Sequence, residues 1–250
     1  MNPLLELLER GQSYWLDNLT RGMIRDGELE RRVREEGLRG VTSNPAIFSK
    51  AISRGGGYDE QIEKLAREGH GLEEIFERIA VDDIRDACDV LRPVWEESGG
   101  RDGFVSLEVS PHLAHDTRGS VEEALHLFGA VDRPNVLIKI PGTPAGVPAI
   151  EELLYEGVNV NVTLLFSVEA YDEVARAYLR ALERRREEGA PVDDVASVAS
   201  FFLSRIDVLL DGILGHRIRP GREADGPAPE QLLGRAAVAN AKIAYRRFLE

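Results

Sequence analysis

The chain has 250 residues, 43% of them hydrophobic and 30% charged, a balance that supplies a full core and excludes disordered and fibrous classes. Its 31 Lys and Arg against 44 Asp and Glu leave a net charge of −13, and Arg-rich runs such as "ALERRREEG" are interleaved with Glu, so no basic stripe for nucleic acid stands out. The single cysteine, Cys88, excludes an internal disulfide framework and a Cys-rich metal site; no stretch approaches the ~18 apolar residues of a membrane span, and the acidic amphipathic start "MNPLLELLERG" is unlike a secretory signal, so a cytoplasmic protein is expected.

A first helix is predicted over Pro3 to Arg10, then a short strand at Tyr14 to Asp17. The spacing of Leu29, Val33 and Leu38 predicts a helix over "DGELERRVREEG" with Gly37 near its end, followed by a strand at Arg39 to Thr42 that Asn44-Pro45 halts. Ala46 to Glu97 reads almost wholly as helix, broken at "RGGGY" and "EGHG", and forms a long helical insert after the second strand. Beyond it the alternation is regular. "GFVSLEVS" is a strand, "SVEEALHLFGAV" a helix with Ser120 and Glu123 as a capping box, and "NVLIKI" the next strand. The helix "GVPAIEELLYEG", the strand "VNVNVTLLF", the long helix from Ser167, the strand "VASVASFFL", the helix "SRIDVLLDGIL", a Pro/Gly loop "RPGREADGPAPE" and a last helix complete the chain, with Cys88 as helix packing. Strands alternating with helices of this length predict right-handed βαβ units and a parallel sheet. The expected fold is α/β, one (β/α) barrel domain over residues 1–250, with six of the eight strands that such a barrel uses.

In a parallel barrel the active site lies at the carboxyl ends of the strands. Those ends carry polar residues: Asp17-Asn18, Thr42-Ser43-Asn44, Glu108 and Ser110, Lys139, Asn161 and Thr163, and Ser200 with Arg205 beyond it. Period-two alternation puts Asn161 and Thr163 on one side of their strand. Lys139 is the odd residue, set among Val136, Leu137, Ile138 and Ile140 in an apolar run. Desolvation there is expected to favour a neutral amine able to attack a carbonyl, with Asp17 and Glu108 as proton carriers and Asn44, Asn161, Thr163 and Ser200 holding substrate hydroxyls or water. A snorkelling or ion-paired lysine, a capping Asp17 and a structural Glu108–Lys139 pair are the competing readings.

The segments "GVTSNPAIFSKAI", "VSLEVSPHLAHDT", "NVLIKIPGTPAGVPAIEELLYEGVNVNVTLLFS" and "SVASFFLSRID" together resemble the transaldolase family in its longer bacterial form. The resemblance implies a lysine Schiff base at Lys139 that moves a dihydroxyacetone unit from a ketose phosphate to an aldose phosphate in the pentose phosphate pathway. It implies Asp17 as the acid/base for the C3–C4 bond, Glu108 and Thr163 placing the water of imine formation and hydrolysis, Asn44 and Asn161 bonding the three-carbon unit, and Ser200 and Arg205 on the phosphate side. A Schiff-base aldolase with the same residues, and a non-catalytic truncated member, are the alternatives. The family pattern continues past "AAVANAKIAYRRF" with two further strands, so a C-terminally incomplete barrel is expected, with self-association through its open side or marginal stability as the consequence.

His112 and His115 in "HLAH" lack the further ligands of a metal site, and imine chemistry needs none, so no metal and no cofactor are expected. "SRGGGY" and "PGTPAG" match no phosphate-loop spacing. Sugar phosphates are the expected partners, with neither nucleic acid nor membrane.

Overall fold

In the computed structural model, which describes residues 2–55, 57–217 and 228–250, short strands and helices alternate along the chain. They run α1 (Pro3–Glu9), β1 (Tyr14–Asp17), α2 (Arg21–Arg25), α3 (Glu28–Glu36), β2 (Leu38–Thr42), α4 (Pro45–Ser53), α5 (Asp59–Arg67) and α6 (Leu72–Glu97). Then come β3 (Phe104–Glu108), one 3₁₀ turn (Pro111–Leu113), α7 (Thr117–Val131), β4 (Val136–Pro141), α8 (Gly146–Tyr155), β5 (Val160–Leu165), α9 (Val168–Glu187) and β6 (Ser197–Phe201). Helices α10 (Ser204–Arg217), α11 (Pro229–Leu232) and α12 (Ala236–Leu249) close the described chain.

All neighbouring strands are parallel, and their order in the sheet is β1-β2-β3-β4-β5-β6. The order never reverses, which excludes a doubly wound sheet and is the winding of a (β/α) barrel. Among the described residues β1 and β6 each pair on one side only. The six strands stand where the sequence predicts them, and the insert after β2 is helical.

Local chemistry explains the helix ends. Asn2, Thr20, Asn44, Asp116 and Ser167 each lie just before a helix, and their side chains accept a hydrogen bond from a first-turn N–H. Gly37, at φ 70°, ends α3 in the left-handed conformation that glycine adopts without a Cβ clash.

The sheet has two kinds of face. Val105, Leu107, Val136, Ile138, Ile140, Val160 and Val162 join α6, α7 and α8 residues such as Ile84, Leu91, Leu127 and Leu154 in one buried apolar cluster. The alternate residues Gly40, Phe104, Ser106, Leu137 and Lys139 lie outside that cluster, on the concave side. There the Trp15 indole covers Gly40 so closely that a Cβ at Gly40 would overlap the ring. Glycine in the middle of a strand is explained by this approach.

Several expectations need correction. Helix α2 is absent from the sequence reading, because its five residues are too few for a periodic signal. The capping box at Ser120 and Glu123 does not form: α7 starts earlier, with Asp116 Oδ1 accepting from Gly119 N at 3.0 Å. Ser120 Oγ instead donates to Leu113 O, and Glu123 Oε1 accepts from Ser110 N. Ser110 is off the strand, since β3 ends at Glu108 and Ser110 precedes the 3₁₀ turn. Of the predicted loop "RPGREADGPAPE", residues 219–227 lie outside the described residues, and the last predicted helix is two, α11 and α12.

A buried polar cluster ties the insert to the first strand–helix unit. Arg21 on α2 donates from Nε to Asp83 Oδ1 on α6 at 2.7 Å, and Tyr58 donates its hydroxyl to Asp83 Oδ2 at 2.9 Å. The Tyr58 oxygen accepts from Arg21 N at 3.0 Å, and the guanidinium lies 4.5 Å from the Tyr58 ring centre. Burial pushes the Tyr58 phenol up to about 12 and raises the Asp83 carboxyl, with Arg21 opposing the latter. A carboxyl raised in the native state adds stability below its unfolded pKa of about 3.9 and loses it as pH rises through the native value. Arg21→Met removes the opposing cation, so it should lower the unfolding free energy by about 3–5 kcal/mol near neutral pH and by clearly less near pH 5. Tyr58→Phe should cost about 1–3 kcal/mol. Urea titrations of both variants at the two pH values check this, and an Arg21→Met loss independent of pH would contradict the raised Asp83 carboxyl that Arg21 opposes.

Candidate active site

Lys139 sits in the fully buried strand β4 and is 6% exposed. Parallel register places it between Glu108 on β3 and Asn161 on β5. Its Nζ lies 3.1 Å from Glu108 Oε2 and donates to the Ser43 carbonyl oxygen at 3.2 Å. The structure therefore surrounds this amine with a carboxylate and a strand-end carbonyl. Burial raises the Glu108 carboxyl above its usual range; Lys139 opposes that, Asp17 adds to it, and Arg205 weakly opposes it. A carboxyl shifted upward can take and return protons nearer neutral pH than an ordinary glutamate.

A second set of contacts joins the strands around this pair. Asn161, 1% exposed, donates from Nδ2 to Ser106 Oγ at 2.9 Å and accepts at Oδ1 from Ser200 Oγ at 2.8 Å. Ser43 Oγ donates to the Ser106 carbonyl oxygen at 2.7 Å. Thr163 is buried two residues beyond Asn161, and Leu164 after it has φ 60°, a conformation costly for a leucine. The β5–β6 register shifts between Val162 and Leu165, a bulge that returns Leu165 to the core immediately beyond Thr163.

The remaining sequence-derived candidates lie at the rim. Asp17 is exposed at the end of β1, in register with Thr42 and, through it, Ser106. Asn44 Oδ1 is occupied as the cap of α4, accepting from Ile47 N at 3.0 Å. Arg205 is exposed in the first turn of α10, its guanidinium 4.8 Å from the Phe202 ring centre. It borders an open cleft of about 570 Å³ with Val208, Leu209 and Ile213. Lys139 and Glu108 are in direct contact, as are Asn161 and Ser200, and Ser43 and Ser106 link the two pairs, whereas Asp17 and Arg205 act on Glu108 through their charge.

Sequence reasoning missed two contributors. The Ser43 carbonyl is a backbone group and leaves no residue-type signal. Ser106 was detectable, since it stands two residues before Glu108 and so on the same face of β3. Thr42 Oγ1 is buried with no hydrogen-bond partner among the described residues.

A family model described as transaldolase/fructose-6-phosphate aldolase matches residues 14–250. A transaldolase of Trichodesmium erythraeum (strain IMS101) is 48% identical over 248 residues, covering 99% of this chain and 65% of that protein. Transaldolase 2 of Nostoc sp. (strain PCC 7120) is 49% identical over 250 residues, covering 99% of this chain and 66% of the relative. A transaldolase of Thiobacillus denitrificans is 47% identical over 253 residues, with 100% of this chain and 68% of the relative covered. The chain spans about two thirds of the length of these relatives. Identity at this level over nearly every described element, together with the family match, means that the chain belongs to the transaldolase/fructose-6-phosphate aldolase family.

Proposed function

We propose that this chain forms a lysine imine with a ketose phosphate and transfers the resulting dihydroxyacetone unit to an aldose phosphate. The observation that carries the reading is a buried lysine in an apolar strand with a carboxylate 3.1 Å from its nitrogen. Glu108 takes the proton of the Lys139 ammonium, and the free amine attacks the ketose carbonyl carbon. The carbonyl oxygen leaves as water, with Glu108 and Thr163 guiding the proton and the water. Asp17 then removes the proton from the C4 hydroxyl and the C3–C4 bond breaks. Its electrons pass to the iminium nitrogen, leaving an enamine and releasing an aldose phosphate. The enamine carbon attacks the aldehyde of a second aldose phosphate, and water returns to free Lys139. Asn44 and Asn161 bond the three-carbon unit; Ser200 and Arg205 lie toward the phosphate. The names of the relatives favour transfer over release of the unit, and the buried aliphatic stem of Lys139 fits a fixed nucleophile. The 1–250 barrel acts as one unit in this reading, in the cytoplasm and on sugar phosphates.

Borohydride added with fructose 6-phosphate should reduce the imine to a stable secondary amine on Lys139, seen as a mass shift of one peptide. Lys139→Ala should abolish the label, and labelling that persists in the variant sinks the assignment. Glu108 must be ionised to accept the lysine proton, so trapping should decline as pH falls through its raised pKa. That limb should lie above the ~4.3 of an ordinary glutamate. Glu108→Gln should remove the limb and slow trapping by about a hundredfold. An unchanged pH profile in Glu108→Gln would assign the proton transfer elsewhere.

A further inference from the structure

We propose that Ser106 is a positioning residue that locks the amide of Asn161 and thereby sets the preference of the site for a hydroxylated ketone; this rests on the lysine imine reading above. The observation is a chain of two hydroxyls and one amide spanning three strands. Asn161 Nδ2 donates to Ser106 Oγ on β3 at 2.9 Å, while Ser200 on β6 donates to Oδ1 at 2.8 Å. Ser106 is 0% exposed and Asn161 1%, so no bulk water can substitute for either contact.

A primary amide has two N–H groups and two carbonyl lone pairs. The two serines use one of each. One donor and one acceptor remain, fixed in direction, on the residue that lies in register beside Lys139. That pair suits a carbon chain bearing hydroxyls next to the imine carbon, because a hydroxyl can accept from the amide N–H or donate to its oxygen. A ketone without hydroxyls gains nothing from it. Ser106 is itself held, since its carbonyl oxygen accepts from Ser43 Oγ at 2.7 Å and Ser43 O accepts from Lys139 Nζ. With Ser106 truncated, the Nδ2 end of the amide has no anchor and can rotate about its terminal torsion, which is intrinsically soft. Catalysis at Lys139 does not need that anchor; discrimination between ketones does.

The test compares dihydroxyacetone with acetone as the ketone in borohydride trapping of the full chain. For the unsubstituted protein and for Ser106→Ala, the concentration giving half-maximal labelling of Lys139 is measured for each ketone. Ser106→Ala should raise the dihydroxyacetone value relative to the acetone value by about tenfold, the worth of one well-aligned hydrogen bond. Ser106→Cys, which keeps a side chain of similar shape with a weaker acceptor, should fall between the two and serves if the alanine variant does not fold. Equal shifts for both ketones would reduce Ser106 to general support and overturn the inference. Unshifted values in a folded variant would overturn it too, and both results would leave the lysine imine standing. No labelling of the unsubstituted chain by either ketone would remove the imine reading and this inference with it.

Discussion

A lysine and a glutamate held 3.1 Å apart inside a parallel sheet constrain most of what surrounds them. Moving two charges out of water costs several kcal/mol per ion, and mutual attraction repays this only with good geometry and further hydrogen bonds. The geometry here is that of the sheet. Parallel register puts Glu108 beside Lys139, and the carbonyl of Ser43 supplies the additional acceptor for the ammonium. The same burial that makes the pair costly raises the Glu108 carboxyl above the usual carboxylate range, with Lys139 opposing the shift. Polar groups of β5 and β6 adjoin the pair, Asn161 in register with Lys139 and Ser200 bonded to Asn161.

Those groups form a network in which each member is oriented by another. Ser200 and Ser106 hold Asn161 from opposite ends, and Ser43 bonds the backbone of Ser106 while its own carbonyl meets Lys139. Such satisfied buried networks specify one arrangement of side chains, because each alternative leaves a polar atom unpaired. The bulge at Leu164 adds local backbone strain beside Thr163.

The insert between β2 and β3 is bound to this frame away from the lysine. Arg21 follows β1, Tyr58 lies in the link between α4 and α5, and Asp83 is on α6, so their cluster joins the start of the sheet to the inserted helices. Helix α6 then packs its apolar face, including Ile84, Ala87, Cys88 and Leu91, into the main core. Cys88 is 0% exposed with its thiol pushed upward by burial, which suits packing rather than reactivity.

Much of this was legible in the order of residues. The six apolar runs and their polar ends identified the strands, the parallel winding and the face that carries Lys139, Glu108, Asn161 and Ser200, because alternation and strand length are local properties. The resemblance to the family rested on local segments too. What the sequence could not determine was set by contacts distant along the chain. The side chain that caps α7 depended on the path into the helix, which favoured Asp116 over Ser120. The partner of the Lys139 ammonium just past the end of β2 is a backbone carbonyl, that of Ser43, invisible to residue identity. The division of Asn161 between Ser106 and Ser200 required β3, β5 and β6 to be placed together, separations of 55 and 39 residues. Residue types and their spacing determined which groups were available for chemistry; only the packing of distant strands decided which of them touch, since a hydrogen bond requires a donor and an acceptor within about 3 Å whatever their separation in sequence.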